Sequence, residues 1–291
     1  MNSPKSFSDP ATRFLMAVHD AVPGITEAIL STGETVDGRS SYEVLAEAGG
    51  PLDGKTVVDL ACGSGCLSQL LAERVGRNGQ VVGVDLNGSE LELARVRLAR
   101  VGNVRLLQES ADCLSLEDTS IDVVFCHMAL MLFQPLSAAL MEIVRILRPG
   151  GTLAAVIPTL NGGNGTYAEL RAALATQVEQ DLTPEKRIVL GDAEAGTVDG
   201  LKNLLRRNGG FNDNLVLNDL TLIFASAPEL LAARLLPFFY HSHRLSDAAK
   251  RRVQAEWTAI LQREQRCGMV EFCLPLAVLT VTKHDDAVTE K

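Results

Sequence analysis

The chain is poor in large aromatics, with one tryptophan and three tyrosines among 291 residues. An aromatic cage around a quaternary amine needs several such faces at one point, so that ligand class is disfavoured. Long apolar runs are missing as well. None reaches the roughly 18 residues that cross a bilayer, and Met1-Asn2-Ser3-Pro4-Lys5-Ser6 lacks the charged-then-apolar order of a secretory signal. There is no CxxC pair and no Cys/His spacing of a zinc site, so no metal is expected. Six cysteines (Cys62, Cys66, Cys113, Cys126, Cys267 and Cys273) lie scattered in mostly apolar or strand-like surroundings and read as reduced thiols of a cytoplasmic protein. Basic residues are outnumbered: 27 Lys plus Arg stand against 36 Asp plus Glu, a net charge of −9. A surface of that sign repels phosphate backbones and anionic lipid, which sets nucleic acid and membrane aside as partners. No internal repeat and no low-complexity tract is present.

What is there is an alternation of strand and helix signals. Residues 11–31 have apolar positions near helical spacing, broken by Pro23-Gly24, and 41–48 form a further short helix ending at Gly49-Gly50. From Lys55 the rhythm changes. Thr56–Leu60 reads as a strand, the small-residue turn Ala61-Cys62-Gly63-Ser64-Gly65 follows, and Leu67, Leu70, Leu71 and Val75 recur at helical offsets up to Gly76. Gln80–Asp85 is a second strand. Ser89 with Glu92 fits a capping box, so a helix is expected to start there and run to about Arg100. Val104–Gln108 and Ile121–Cys126 are the third and fourth strands, Ser137–Leu147 a helix, and Thr152–Ile157 a fifth strand after Pro149-Gly150-Gly151.

Beyond 158 the pattern loosens. A loop is expected at 161–165, helices at 167–180, 197–207, 228–239 and 246–265, and strands at 214–224 and 269–283 before a polar tail from His284. Alternating elements from 55 to 157 imply parallel strands with right-handed crossovers. The expected fold is therefore a doubly wound, mostly parallel seven-stranded α/β sheet in one domain. Residues 1–50 would be a helical cap, 51–160 a cofactor-binding core, 161–283 sheet completion with acceptor-pocket helices, and 284–291 the tail.

Three signals stand at successive strand ends, where ligands of such sheets bind. The turn after Asp59 lets backbone approach a ligand closely. Asp85, 20 residues past Gly65, can accept both hydroxyls of a ribose. Asp112 follows the third strand, placed to accept from an adenine amino group, with the backbone N–H of Cys113 facing a ring nitrogen. A dinucleotide site is the weaker reading: Gly63-x-Gly65 is followed by Ser68 at the third glycine position, and such a fingerprint requires neither Asp59 nor Asp112.

Val57–Gly65, Val82–Asp85, Ser110–Asp112, Asp122–Phe125 and Leu147–Leu153 together resemble the class I S-adenosylmethionine-dependent methyltransferases, in particular their small-molecule, ubiquinone-biosynthesis-like group. The resemblance covers about 55–157. It implies a Rossmann-like methyltransferase fold and S-adenosyl-L-methionine as cofactor. The methionine part would lie on Ala61–Gly65 with its amino group near the Gly63 carbonyl, and the ribose on Asp85. The adenine would meet Asp112 and Cys113, with Leu86, Ala111 and His127 completing the wall. Ala61 departs from the family, which usually has glycine there. No Asn-Pro-Pro-Tyr or Asp-Pro-Pro-Tyr follows the fourth strand, which argues against methylation of adenine or glutamine amino groups.

A general base helps if the acceptor is a hydroxyl or a protonated amine. His127, directly after the fourth strand, is one candidate. Tyr240 and His241, with His243, form a polar cluster that could roof the acceptor pocket. His19 and His284 have weaker claims. The expected activity is methyl transfer to oxygen or nitrogen of a small metabolite, with a homodimer allowed. Carbon methylation, a non-methylating use of the cofactor such as cyclisation, and a purely regulatory cofactor-binding module are the alternatives.

Overall fold

A computed structural model describes residues 9–160, 165–208 and 210–285. Seven strands form one sheet: β1 (Thr56–Leu60), β2 (Gln80–Asp85), β3 (Val104–Gln108), β4 (Ile121–His127), β5 (Leu147–Pro158), β6 (Val216–Ser226) and β7 (Val270–Thr282). Their order is β3-β2-β1-β4-β5-β7-β6. β1 to β5 pair in parallel, and β7 runs antiparallel between β5 and β6. The central strands are continuous apolar runs because both sheet faces are covered. Side chains alternate between the faces. Val57, Val81, Val123 and Phe125 belong to one core; their neighbours Val58, Val82, Val124 and Cys126 belong to the other.

The first core is closed by α3 (Ser41–Ala48), α4 (Cys66–Val75), α7 (Gly165–Asp181), α9 (Pro228–Leu235) and α10 (Asp247–Gln262), and the second by α6 (Leu136–Ile146) and α8 (Val198–Arg207). Trp257 is fully buried and donates its indole N–H to the Leu170 carbonyl at 2.8 Å, tying α10 to α7. The chain enters through α1 (Pro10–Ala21) and α2 (Ile25–Leu30), separated at Gly24. No helix among the described residues is long and apolar enough to cross a membrane, and none of the six cysteines is paired.

Several local expectations need correction. The helix after β2, α5 (Gly88–Arg97), is capped by Asn87, whose side chain accepts from the Glu90 amide at 2.9 Å. Ser89 lies inside that helix and donates to Asp20 instead. β5 begins five residues early, at Leu147, because the β4–β5 register slips between Ile121 and Val123 and takes Arg148–Gly151 into the strand as a bulge. The helix expected over 228–239 stops at Leu235. Pro237 has no amide hydrogen to continue it, and short 3-10 turns follow at Leu236–Phe238 and Tyr240–Arg244. The expected loop at 161–164 and the tail beyond Asp285 lie outside the described residues.

Candidate active site

The strand order reverses between β1 and β4, and the crevice of a doubly wound sheet opens at that point, beyond the carboxyl ends. The Asp59–Gly65 turn leaves β1 there. It needs backbone that L-residues rarely adopt: φ is +59° at Ala61, +51° at Gly63 and +79° at Gly65. Gly65 also has no room for a Cβ, which would lie 3.0 Å from Leu98 and 3.1 Å from Ala94. Ala61 pays for its Cβ with about 1 kcal/mol of strain. The Gly63 amide donates to Asp85 Oδ2 at 2.8 Å, and the Asn87 amide donates to Asp85 Oδ1 at 2.8 Å. Burial pushes the Asp85 carboxyl above its ordinary range, against the pull of those two amides. Asp59 is 1% exposed and accepts from Ser68 Oγ at 2.6 Å. Burial raises its pKa to about 7 despite that bond, and the nearby Asp85 adds to the rise.

A cavity of about 200 Å³ opens above this turn. Its floor is the ends of β1, β2 and β4 with the loop after β3; its roof comes from α1, α2, α3 and Tyr240. Asp59, Ala61, Gly63, Asp85, Leu86, Ala111, Asp112, His127 and Tyr240 all line it. Gly65 shapes the turn from behind. Besides Gly65, two expected residues, Cys113 and His241, are not on the wall. The Cys113 amide is taken by the Ser110 carbonyl at 3.0 Å and its side chain is exposed, so it does not offer its N–H to a ring nitrogen. His241 turns away to donate from Nε2 to the Ile188 carbonyl at 3.1 Å, and His243 similarly binds the Pro237 carbonyl.

His127 is on the wall, but in a form that does not suit a base. Its Nε2 is 2.9 Å from Ser41 Oγ, its ring stacks on Tyr42 at 4.0 Å, and burial lowers its pKa to about 3. A ring that weakly basic stays neutral and is a poor proton acceptor near pH 7.

The sequence reading missed one wall residue, Glu90, and gave another, His19, only a weak claim. His19 Nδ1 meets Glu90 Oε1 at 2.7 Å and its Nε2 meets the Tyr240 hydroxyl at 3.0 Å. Glu90 is 3% exposed. The only local signal was a glutamate in the first turn of a helix, which the helix dipole explains equally well. A second roof contact joins α2 to the turn: Glu27 accepts from Ser64 Oγ, and Arg97 Nη2 donates to Glu27 at 2.6 Å.

Glu27, Asp59, Asp85, Glu90, Glu109 and Asp112 line the cavity, with no lysine or arginine among the lining residues. Such a wall suits a cationic ligand rich in hydroxyl and amino donors. S-adenosylmethionine, with its sulfonium, ammonium and ribose hydroxyls, fits that donor set. Among the described residues no group of three or more His, Cys, Asp or Glu is arranged to hold a metal ion.

Comparison with known proteins gives the same picture. A family model described as a methyltransferase domain matches residues 58–155. The ubiquinone/menaquinone biosynthesis C-methyltransferase UbiE of Legionella pneumophila (strain Corby) is 38% identical over 103 residues, which is 34% of this chain and 41% of that protein. The chain thus matches about two fifths of that relative's length. The YcgJ protein of Bacillus subtilis superposes with a TM-score of 0.56 at 15% identity, over 84% of this chain and 98% of that one. Phosphoethanolamine N-methyltransferase 2 of Haemonchus contortus superposes with a TM-score of 0.59 at 17% identity, over 97% of this chain and 61% of that one. At those identities the two structures attest the fold. Over residues 58–155 the chain therefore matches the methyltransferase-domain model, resembles the ubiquinone/menaquinone biosynthesis C-methyltransferases in sequence, and has the fold of the superposed structures.

Proposed function

We propose that the chain transfers a methyl group from S-adenosylmethionine to an oxygen or nitrogen of a small, uncharged or cationic metabolite in the cytoplasm, as a step of specialised metabolism. The observation that carries this reading is the single cavity in which the Asp59–Gly65 turn, Asp85 and Asp112 meet a roof from the N-terminal helices. The acidic lining supports the choice of acceptor. A phosphorylated or carboxylated acceptor would enter beside six carboxylate residues with no lysine or arginine on the wall to receive it. The Tyr240 hydroxyl, 3.0 Å from His19 Nε2, gives the roof a polar atom suited to orienting a heteroatom.

The bound cofactor supplies a methyl group already activated on a sulfonium, so the chain needs no nucleophile of its own. Its residues supply placement. Each Asp85 oxygen accepts one amide and retains a lone pair for a ribose hydroxyl. The glycines let the turn approach the ligand, and Asp112 stands at the adenine end. His127, neutral and fixed by Ser41 and Tyr42, gives the acceptor side a rigid wall. Holding an acceptor in line with the breaking bond is worth about 7–11 kcal/mol in favourable cases.

Calorimetric titration with S-adenosylhomocysteine tests the cofactor, and Asp85→Ala is expected to weaken that binding at least about tenfold through loss of the hydroxyl contacts. A panel of neutral, cationic and anionic small molecules, scored by release of S-adenosylhomocysteine, tests the reaction. The absence of binding would refute the cofactor assignment. Turnover of an acceptor without release of S-adenosylhomocysteine would show a non-methylating use, and methylation at carbon or of anions would overturn the acceptor assignment.

A further inference from the structure

Glu90 is one of the cavity acids for which the cofactor motif has no role. Its Oε1 is doubly engaged, by His19 Nδ1 at 2.7 Å and by the Gly24 amide at 2.9 Å. Its Oε2 is buried and has no hydrogen-bond partner, one of two such side-chain atoms among the described residues. That oxygen is aimed at the turn. A Cβ built on Gly63 would lie 3.6 Å from Oε2 and would meet nothing else within 4 Å. A buried carboxylate oxygen without a donor bears its full desolvation cost. No lysine or arginine lines the cavity, and the one basic side chain in contact with Glu90, His19, is taken up on Oε1.

A ribose hydroxyl would supply the missing donor without a positive charge. A sulfonium would balance the charge but has no hydrogen to donate. An ammonium does both. We propose that Glu90 Oε2 is the seat of the cofactor's α-ammonium group, a site on α5 that selects nucleosides carrying an aminoacyl chain. His19 acts as a positioning residue, since it and the Gly24 amide hold the other oxygen and so aim Oε2 at the turn. Because both come from the N-terminal segment, the seat is complete only when α1 lies over the floor.

This inference rests on the cofactor reading above, and two ligands separate them. S-adenosylhomocysteine carries the aminoacyl chain; 5′-methylthioadenosine lacks it but keeps the adenosine and the sulfur. In calorimetry, Glu90→Gln is expected to weaken S-adenosylhomocysteine roughly ten- to hundredfold, the worth of a charge-assisted hydrogen bond. It should leave 5′-methylthioadenosine within about twofold, which also shows that the variant is folded. His19→Phe, which frees the carboxylate from its holder, should produce a smaller loss confined to the same ligand. Equal losses for both ligands, or no loss for either, overturn the inference and leave the cofactor reading standing. A wild-type protein that binds neither ligand refutes both.

Discussion

Asp59 offers a test that needs no ligand. It is buried beneath the turn, its carboxylate accepts from Ser68 Oγ at 2.6 Å, and burial raises its pKa from an ordinary 3.8 to about 7. The folded chain therefore holds this proton more tightly than the unfolded chain. Between about pH 4 and pH 7 the native state binds more protons, so this residue's contribution makes stability fall as pH rises through that window. Below the window the penalty is absent; above it the penalty is complete. A rise of about three pH units at about 1.4 kcal/mol each is on the order of 4 kcal/mol at pH 8. Asp59→Asn removes the charge and keeps an oxygen for Ser68. The variant should exceed the wild type in stability by up to that amount at pH 8, and the difference should close by pH 4. Urea denaturation across this range measures it, and emission from Trp257, the sole tryptophan and fully buried, reports the transition. A difference independent of pH, or a wild type more stable at pH 8, would refute the reasoning.

Ala61→Gly should stabilise the protein by about 0.5–1 kcal/mol, because relief of the left-handed strain at φ +59° outweighs the added freedom of the unfolded chain; thermal denaturation checks the sign. Gly49→Ala should destabilise it by about 1–3 kcal/mol, since the new Cβ would lie 2.2 Å from Phe125 Cζ in the core, and a denaturant midpoint equal to the wild type would contradict that contact.

The central parallel strands β1, β2 and β4 were legible because each is a short apolar run buried on both faces, while β3, at the sheet edge, is only partly buried. The floor of the cavity shared that clarity. Asp59, the turn and Asp85 are placed by strand ends, and strand ends show in sequence. Chemistry imposed from across the fold did not show. His127 was legible as a strand-end residue, yet its weak basicity comes from burial under α3, whose Ser41 and Tyr42 lie more than 80 residues earlier. In the Tyr240–Arg244 turn consecutive side chains diverge, so Tyr240 enters the cavity while His241 leaves it. Spacing in a loop does not say which will do which.

His19 and Glu90 show why the roof was harder to read than the floor. Floor contacts are short in sequence or follow strand register. Roof contacts join the N-terminal segment to residues 37 or more positions away, with no periodic pattern to announce them. Asn87 donates to Asp20 at 2.9 Å, Glu90 meets His19 and Gly24, and Glu27 meets both Ser64 and Arg97. The residues receiving these contacts lie in the turn after β1 (Ser64), at the start of α5 (Asn87 and Glu90) and at its end (Arg97), beside the floor. The N-terminal helices are therefore built into the site. The roof supplies Glu90 with its holder and Ser64 with its acceptor, so losing α1 and α2 would unmake the acidic wall as well as uncover it.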